Sequence, residues 1–203
     1  MKTFKLEGKS REIIARSADQ KRALKAMRKN DEIPAVLYGG EKVVHFAVTN
    51  DAVRKLVYTP EIFVVELTID GETTMAIMKE IQFHPVSDKI LHMDFLTVSK
   101  DKPVEMEVPV ALEGHAEGVK AGGKLQLEMK KLKVNGIYTQ IPNRVEIDVT
   151  NLGLGKKLYV EAVTMPEGLK LMNPADACVA RVKATRASQQ AAAAAAPAKG
   201  KKK

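Results

Sequence analysis

The chain has no tryptophan, and only four tyrosines and five phenylalanines among its 203 residues. Its core must therefore be filled by Val, Ile, Leu and Met. There is one cysteine, Cys178, which excludes a disulfide within the chain. It sits in the apolar stretch Ala177-Cys178-Val179-Ala180, so the expectation is a buried, inert thiol in a reducing cytoplasm. No apolar run reaches the roughly 18 residues that a bilayer-spanning helix needs. The opening Met1-Lys2-Thr3-Phe4-Lys5 leads straight into charged residues, without the apolar segment of a secretory signal. Two catalytic signatures are also missing. Ala121-Gly122-Gly123-Lys124 is not the Gly-x-x-x-x-Gly-Lys-Ser/Thr phosphate loop, and no Gly-x-Ser-x-Gly nucleophile elbow occurs.

What is present is positive charge, and it is unevenly placed. The net charge is +8 and the isoelectric point about 9.4, a balance that suits a polyanion or an anionic surface. Residues 1–40 carry 10 Lys/Arg against 5 acids, and residues 41–98 carry 5 against 9. Residues 99–185 carry 13 against 11, and residues 186–203 carry 5 against none. The excess therefore lies at the two ends.

The pattern along the chain is mainly β. A strand at Thr3–Glu7 precedes a helix from about Ser17 to Asn30. Ser17-Ala18-Asp19-Gln20 fits a capping box, and Pro34 forbids continuation of the helix. At 100° per residue, Lys21, Arg22, Lys25, Arg28 and Lys29 fall in an arc of roughly 120°. Ala23, Leu24, Ala26 and Met27 fill the packing side. Strands are expected at Ala35–Tyr38, ending at Gly39-Gly40, and at Val43–Val48. A short helix capped by Asn50 follows, and then a hairpin, Ile62–Ile69 and Thr73–Phe83, turning at Asp70-Gly71. His84-Pro85 interrupts before a strand at Lys89–Val98. This describes an N-terminal small β-barrel with short helices. Ser99-Lys100-Asp101-Lys102-Pro103 reads as a domain boundary. A second antiparallel β domain over 99–186 is expected, with strands at Val104–Leu112, Leu125–Val134, Val145–Val149, Leu158–Val160, Leu169–Met172 and Ala177–Val182. Glu113-Gly114 and Gly118–Gly123 read as loops. Residues 187–203, with six consecutive alanines and Lys201-Lys202-Lys203, read as a disordered basic tail.

One group of residues could carry chemistry. Gln82 and His84 share one strand face, and His92 and Asp94 share another. Ile81, Phe83, Leu91, Met93 and Phe95 alternate toward the core. If the two strands pair, the four polar side chains form one patch. Several uses are open to it. His84, His92 and Asp94 could hold a metal as a facial triad in a small metal-dependent enzyme. A nucleophile–His–Asp arrangement lacks a nearby nucleophile. A recognition surface for base edges and 2′-hydroxyls needs this mixture of donors and acceptors. A solvated surface without a partner is the plain alternative, for the patch and for the lysine stripe alike. His45 and His115 look incidental.

At this point a resemblance emerges. Lys21-x-x-x-Lys25-x-x-Arg28 is followed by Ile33-Pro34-Ala35-Val36-Leu37-Tyr38-Gly39-Gly40, then Gln82-Phe83-His84-Pro85 and His92-Met93-Asp94-Phe95. Beyond these come Gly118-Val119-Lys120-Ala121-Gly122-Gly123, Ile141-Pro142 and Val149-x-x-Leu152-x-x-Gly155. In order and spacing these resemble the bacterial large-subunit ribosomal family "L twenty-five", in its longer form called general stress protein Ctc. The resemblance implies an N-terminal barrel, like the anticodon-binding domain of glutaminyl-tRNA synthetase, that binds the loop E region of 5S rRNA through a widened minor groove. It implies a non-catalytic ribosomal component without cofactor or metal, cytoplasmic and ribosome-associated, a monomer within the ribosome. Its partners would be 5S rRNA, large-subunit rRNA and neighbouring ribosomal proteins, and no membrane. The implied contacts are Lys21, Lys25, Arg28, Tyr38, Gln82, His84, His92 and Asp94. The family also has an arginine shortly before the position of Lys21, and both Arg11 and Arg16 qualify. The chain departs from the family at Arg22 and Asp31, where small residues and Gly are usual.

Overall fold

The structure is a computed structural model that describes residues 2–12, 17–100, 102–166 and 168–185. Arg16, the side chain of Ser17 with its capping box, and the tail 187–203 lie outside the described residues. The chain forms two compact units, Met1–Met106 with Gly136–Asn143, and Glu107–Asn135 with Arg144–Lys203.

The first unit is built from β1 (Lys2–Ser10), α1 (Ser17–Lys29), β2 (Glu32–Tyr38), β3 (Val44–Thr49), α2 (Asn50–Tyr58), β4 (Phe63–Ile69), β5 (Glu72–Phe83) and β6 (Ile90–Thr97). The six strands close into a barrel in the order β1-β3-β2-β6-β5-β4. Closure is made by parallel pairing of β1 with β4, from Lys2–Phe63 to Gly8–Ile69. The other strands pair antiparallel except β2 with β6, which run parallel from Ala35–Met93 to Tyr38–Leu96. Pro34 precedes the first β6 register pair, so its missing N–H falls outside that ladder. Local chemistry sets the turns. Asp31 adopts φ 55° and ends α1; a short polar side chain tolerates this left-handed geometry. Asp70 and Gly71, at φ 49° and 93°, supply the two positive φ values of the tight β4–β5 hairpin.

The barrel core is closed by aromatics despite their scarcity. Phe46 and Phe95 are fully buried, with ring centroids 5.7 Å apart and planes tilted by 47°. Leu6, Leu37, Val48, Val53, Val65, Leu67 and Met93 pack around them. A Cβ on Gly8 would come within 2.6 Å of the Phe46 ring, so that ring lies on bare backbone. Asn50 is the first residue of α2 rather than its cap. The cap position is Thr49, which makes no side-chain capping bond.

The second unit contains most of β7 (Val104–Glu113), then α3 (Glu117–Lys120), β8 (Lys124–Leu127), β9 (Lys131–Gly136), β10 (Val145–Asp148), β11 (Lys157–Tyr159), a 3-10 turn at Val160–Ala162, β12 (Lys170–Leu171) and β13 (Cys178–Lys183). They form two sheets, β10-β7-β9-β12 and β11-β13-β8. Four expectations change. Leu125–Val134 is two strands in different sheets, because the chain crosses between sheets at Glu128–Lys130; the Glu128 and Met129 amides both donate to the Val179 carbonyl. β7 and β10 pair parallel where an antiparallel domain was expected. The glycine loop opens with one helical turn, α3, because Gly118 packs directly on the Gly153–Leu154 backbone; a Cβ there would lie 2.6 Å from it. Cys178 is half-buried rather than buried, since it begins the strand whose core positions are Val179, Ala180 and Val182.

Phe95→Ala should leave a cavity against Phe46 and lower the unfolding free energy by about 3–5 kcal/mol. Urea unfolding measures this directly. A loss below about 1 kcal/mol would mean that the barrel interior collapses freely around the gap.

Candidate nucleic-acid interface

The strand pair β5–β6 assembles the polar row. Gln82 lies opposite His92, Glu80 opposite Asp94, and Ile81 opposite Met93. Met93 and Phe95 are fully buried. The pleat therefore turns His92 and Asp94 to the other face. There His92 Nδ1 and Asp94 Oδ1 are 2.7 Å apart, both side chains about one-quarter exposed. An ionised carboxylate only accepts, so Nδ1 carries the proton of this bond.

The expected alternation fails at the loop end of the pair. The ladder shifts register between Gln82 and Phe83. Phe83 consequently comes to the surface at 44% exposure, while Ile90, rather than Leu91, is buried at 5%. His84 lies just beyond the shift and folds into its own turn. Its amide donates to the Lys89 carbonyl, and its Nδ1 accepts from the Val86 and Ser87 amides at 3.3 and 3.2 Å. In the neutral ring the proton then sits on Nε2, which faces away from the turn. With Arg28, Asp31, Asn50 and Lys89, His84 lines a concavity of about 170 Å³.

Tyr38 ends β2, where Val36 is the register partner of Asp94. Burial raises its phenol pKa, and the negative charges of Asp94 and Glu80 raise it further. The hydroxyl is thus held as a donor among carboxylates. Glu80 was not anticipated, although counting back two residues from Gln82 along β5 would have placed it on this face.

The cations form the other half of the site. Arg28 is half-buried, and its Nη2 donates to the Leu91 carbonyl at 3.0 Å. This corrects the division of the α1 surface. The less exposed stripe is Gln20, Ala23, Leu24, Met27 and Arg28, while Ala26 is exposed with Lys21, Arg22, Lys25 and Lys29. A long arginine stem can cover apolar surface while its head reaches a carbonyl. Lys21 and Lys25 lie seven and three residues before Arg28 on the same helix side, and are exposed. Arg11 follows β1 directly, with its amide donating to the His45 carbonyl. Its pKa is lowered, first by burial and then by repulsion from Arg28. The Nε atoms of Arg11 and Arg28 are both buried without a hydrogen-bond partner among the described residues. Two neighbouring guanidiniums with unspent donors form a pair that an anion would stabilise.

The structure thus brings together Gln82, His92, Asp94 and Tyr38, and separately Arg11 with Arg28 beside Leu91. It leaves Lys21 and Lys25 in solvent and His84 in its turn. Among the described residues, no three His, Cys, Asp or Glu side chains gather as a metal would require. With Nδ1 of His84 committed to backbone amides, the metal-triad reading has no support in this geometry. No helix among the described residues is long and apolar enough to cross a membrane.

Comparison with known proteins agrees with this layout. The model of the Ribosomal L25p family matches residues 6–95, and that of "Ribosomal protein TL5, C-terminal domain" matches residues 103–186. Three relatives are each named "Large ribosomal subunit protein bL25". That of Parabacteroides distasonis is 72% identical over 191 residues, 94% of this chain and 98% of that protein. That of Bacteroides fragilis is 56% identical over 195 residues, 96% and 99%, and that of Porphyromonas gingivalis 57% over 194, 95% and 98%. With the barrel, the second β unit and both family matches in the expected order, the chain belongs to the ribosomal L25p family in its long, two-domain form, a family of structural, non-enzymatic large-subunit proteins.

Proposed function

We propose that the barrel face binds 5S rRNA at its loop E region, as a non-catalytic part of the cytoplasmic large ribosomal subunit. Large-subunit rRNA and neighbouring ribosomal proteins would be its other partners. In this reading residues 1–98 carry the 5S contacts, 99–186 form the second β domain, and 187–203 act as a cationic arm toward phosphates. The observation that carries the reading is an acidic, hydrogen-bonded row set beside unspent arginine donors. Either half alone is ambiguous. Cations alone bind any polyanion. A carboxylate beside a phosphodiester is repelled, so Asp94 suits only a ligand that brings amino or hydroxyl donors to it.

The geometry supports one division of labour. Arg11 and Arg28 would each direct guanidinium donors to phosphate oxygens, with Lys21 and Lys25 adding longer-range attraction. The strand row would read an opened minor groove. Asp94 keeps one oxygen for His92 and offers the other to a base amino group or 2′-hydroxyl. Tyr38 donates, and Gln82 does both. The histidines differ in outward valence: neutral His92 presents an accepting Nε2, and neutral His84 a donating Nε2–H. Arg16 remains a second candidate for the first arginine contact. Arg11 has the better physical support, through its coupling to Arg28.

Two measurements check this. Asp94→Asn keeps an oxygen for His92 but replaces the outward acceptor with an amide donor. Binding to intact loop E should weaken about tenfold, or roughly 1.4 kcal/mol, while binding to unrelated RNA stays equal or tightens. If both affinities rise together at fixed salt, Asp94 is a bystander. Independently, long-range 1H–15N spectra of the neutral imidazoles should show His92 protonated at Nδ1 and His84 at Nε2. The reverse pattern would remove the complementary pair.

A further inference from the structure

The three-stranded sheet of the second unit has two unlike faces. Leu125, Leu158 and Val182 point into a small core with Ala116, Val149 and Leu152. The opposite positions hold Lys124 and Gln126 on β8, Lys157 on β11, and Arg181 and Lys183 on β13. Register places these in rows. Lys157 lies opposite Arg181, which lies opposite Gln126, and Lys183 lies opposite Lys124. Partners across an antiparallel pair are about 5 Å apart at Cα, and neighbours on one face of a strand about 7 Å.

This arrangement is unfavourable for a sheet with no partner. Like charges directly opposite one another destabilise the pairing, and here two such pairs stand side by side. One acid intervenes: Glu128 Oε1 lies 2.5 Å from Arg181 Nε. Among the described residues, Lys124, Lys157 and Lys183 have no ion-pair partner, and all three are exposed. The chain leaves this sheet at Lys183 and, in sequence, continues to Arg186, Lys199, Lys201, Lys202 and Lys203 without an acid. The surface therefore carries a net positive grid at roughly the spacing of a nucleic-acid backbone, bordered by the buried Val179 on β13 and the half-exposed Tyr159 on β11.

We propose that this face, Lys124, Lys157, Arg181 and Lys183, is a second RNA-binding surface that takes the phosphate backbone of duplex RNA, without base readout. It is independent of the loop E reading of the barrel and stands or falls separately. Lysines without a paired carboxylate suit phosphates as point charges, and Glu128 is taken up by Arg181, so phosphate contacts dominate this face.

The test uses the full chain and a 20-base-pair, fully Watson–Crick RNA duplex. K124Q/K157Q/K183Q removes the unpaired cations and leaves the Arg181–Glu128 pair intact. A charge-matched control, K120Q/K133Q/K170Q, removes three exposed lysines located outside this sheet. The proposal expects the first variant to flatten the dependence of log affinity on log salt by roughly two to three units, and the control by less than one. Thermal unfolding of the first variant should be unchanged or shifted slightly upward, because like-charge pairs have been removed. In the K124Q/K157Q/K183Q background, binding to intact loop E should keep its sensitivity to Asp94→Asn, which separates this result from the barrel reading. Equal slopes for the two triple variants would reduce the effect to net charge and overturn the proposal. So would an unchanged duplex affinity, including the case in which the first variant instead loses binding to phosphatidylserine vesicles.

Discussion

β6 has its two neighbours fixed in opposite senses, β2 parallel and β5 antiparallel, and the site depends on that double constraint. Met93 and Phe95 are driven inward by burial, and Phe95 is held against Phe46. A one-residue slip would exchange core and surface positions along the strand, exposing Phe95 and burying His92 and Asp94. The hydrophobic core therefore specifies the polar row. The outward direction of Asp94 follows from the inward direction of its neighbours, and the His92 bond only sets which atoms remain available.

The same strand also organises the cations. The Leu91 carbonyl receives Arg28 one residue before His92, and Arg28 in turn acts electrostatically on Arg11. Bringing two guanidiniums together with buried, unpaired Nε groups costs folding free energy, since buried polar groups without partners are unfavourable. A protein selected only for stability would place a carboxylate between them. Asp31 and Glu32 line the same concavity as Arg28 without an ion pair to it among the described residues, and Asp94 and Glu80 lie by Tyr38 instead. Charge separation of this kind matches a ligand that carries both phosphates and hydrogen-bond donors, which is the chemistry of an opened RNA groove.

Much of the fold was legible because hydrophobic alternation and turn chemistry agree. Asp70-Gly71 marked its hairpin, and Met93 and Phe95 marked the inner face of β6. The departures have local causes. Nothing in Gln82-Phe83-His84 signals the register shift that exposes Phe83, because a bulge is a property of two strands together. Residue type assigned Arg28 to the solvent side of α1, whereas the available carbonyl at Leu91 drew it to the packing side. The split within Leu125–Val134 was readable in principle: Leu125, Leu127 and Met129 are odd positions, whereas Leu132 and Val134 are even. That change of phase marks the crossing between sheets. Loop E itself was supplied by family resemblance; charge and spacing alone lead only as far as a polyanion with donors.

The central claim is that this barrel distinguishes an RNA shape and does not merely attract phosphate. Titrating the full chain at fixed salt with 5S rRNA, and with a 5S rRNA whose loop E is replaced by regular Watson–Crick duplex, tests it most directly. The account predicts affinity for the intact RNA higher by at least about a hundredfold, with similar salt slopes because the phosphate contacts persist. Equal affinity for the two RNAs would contradict it, and would leave the His92–Asp94 row without a ligand.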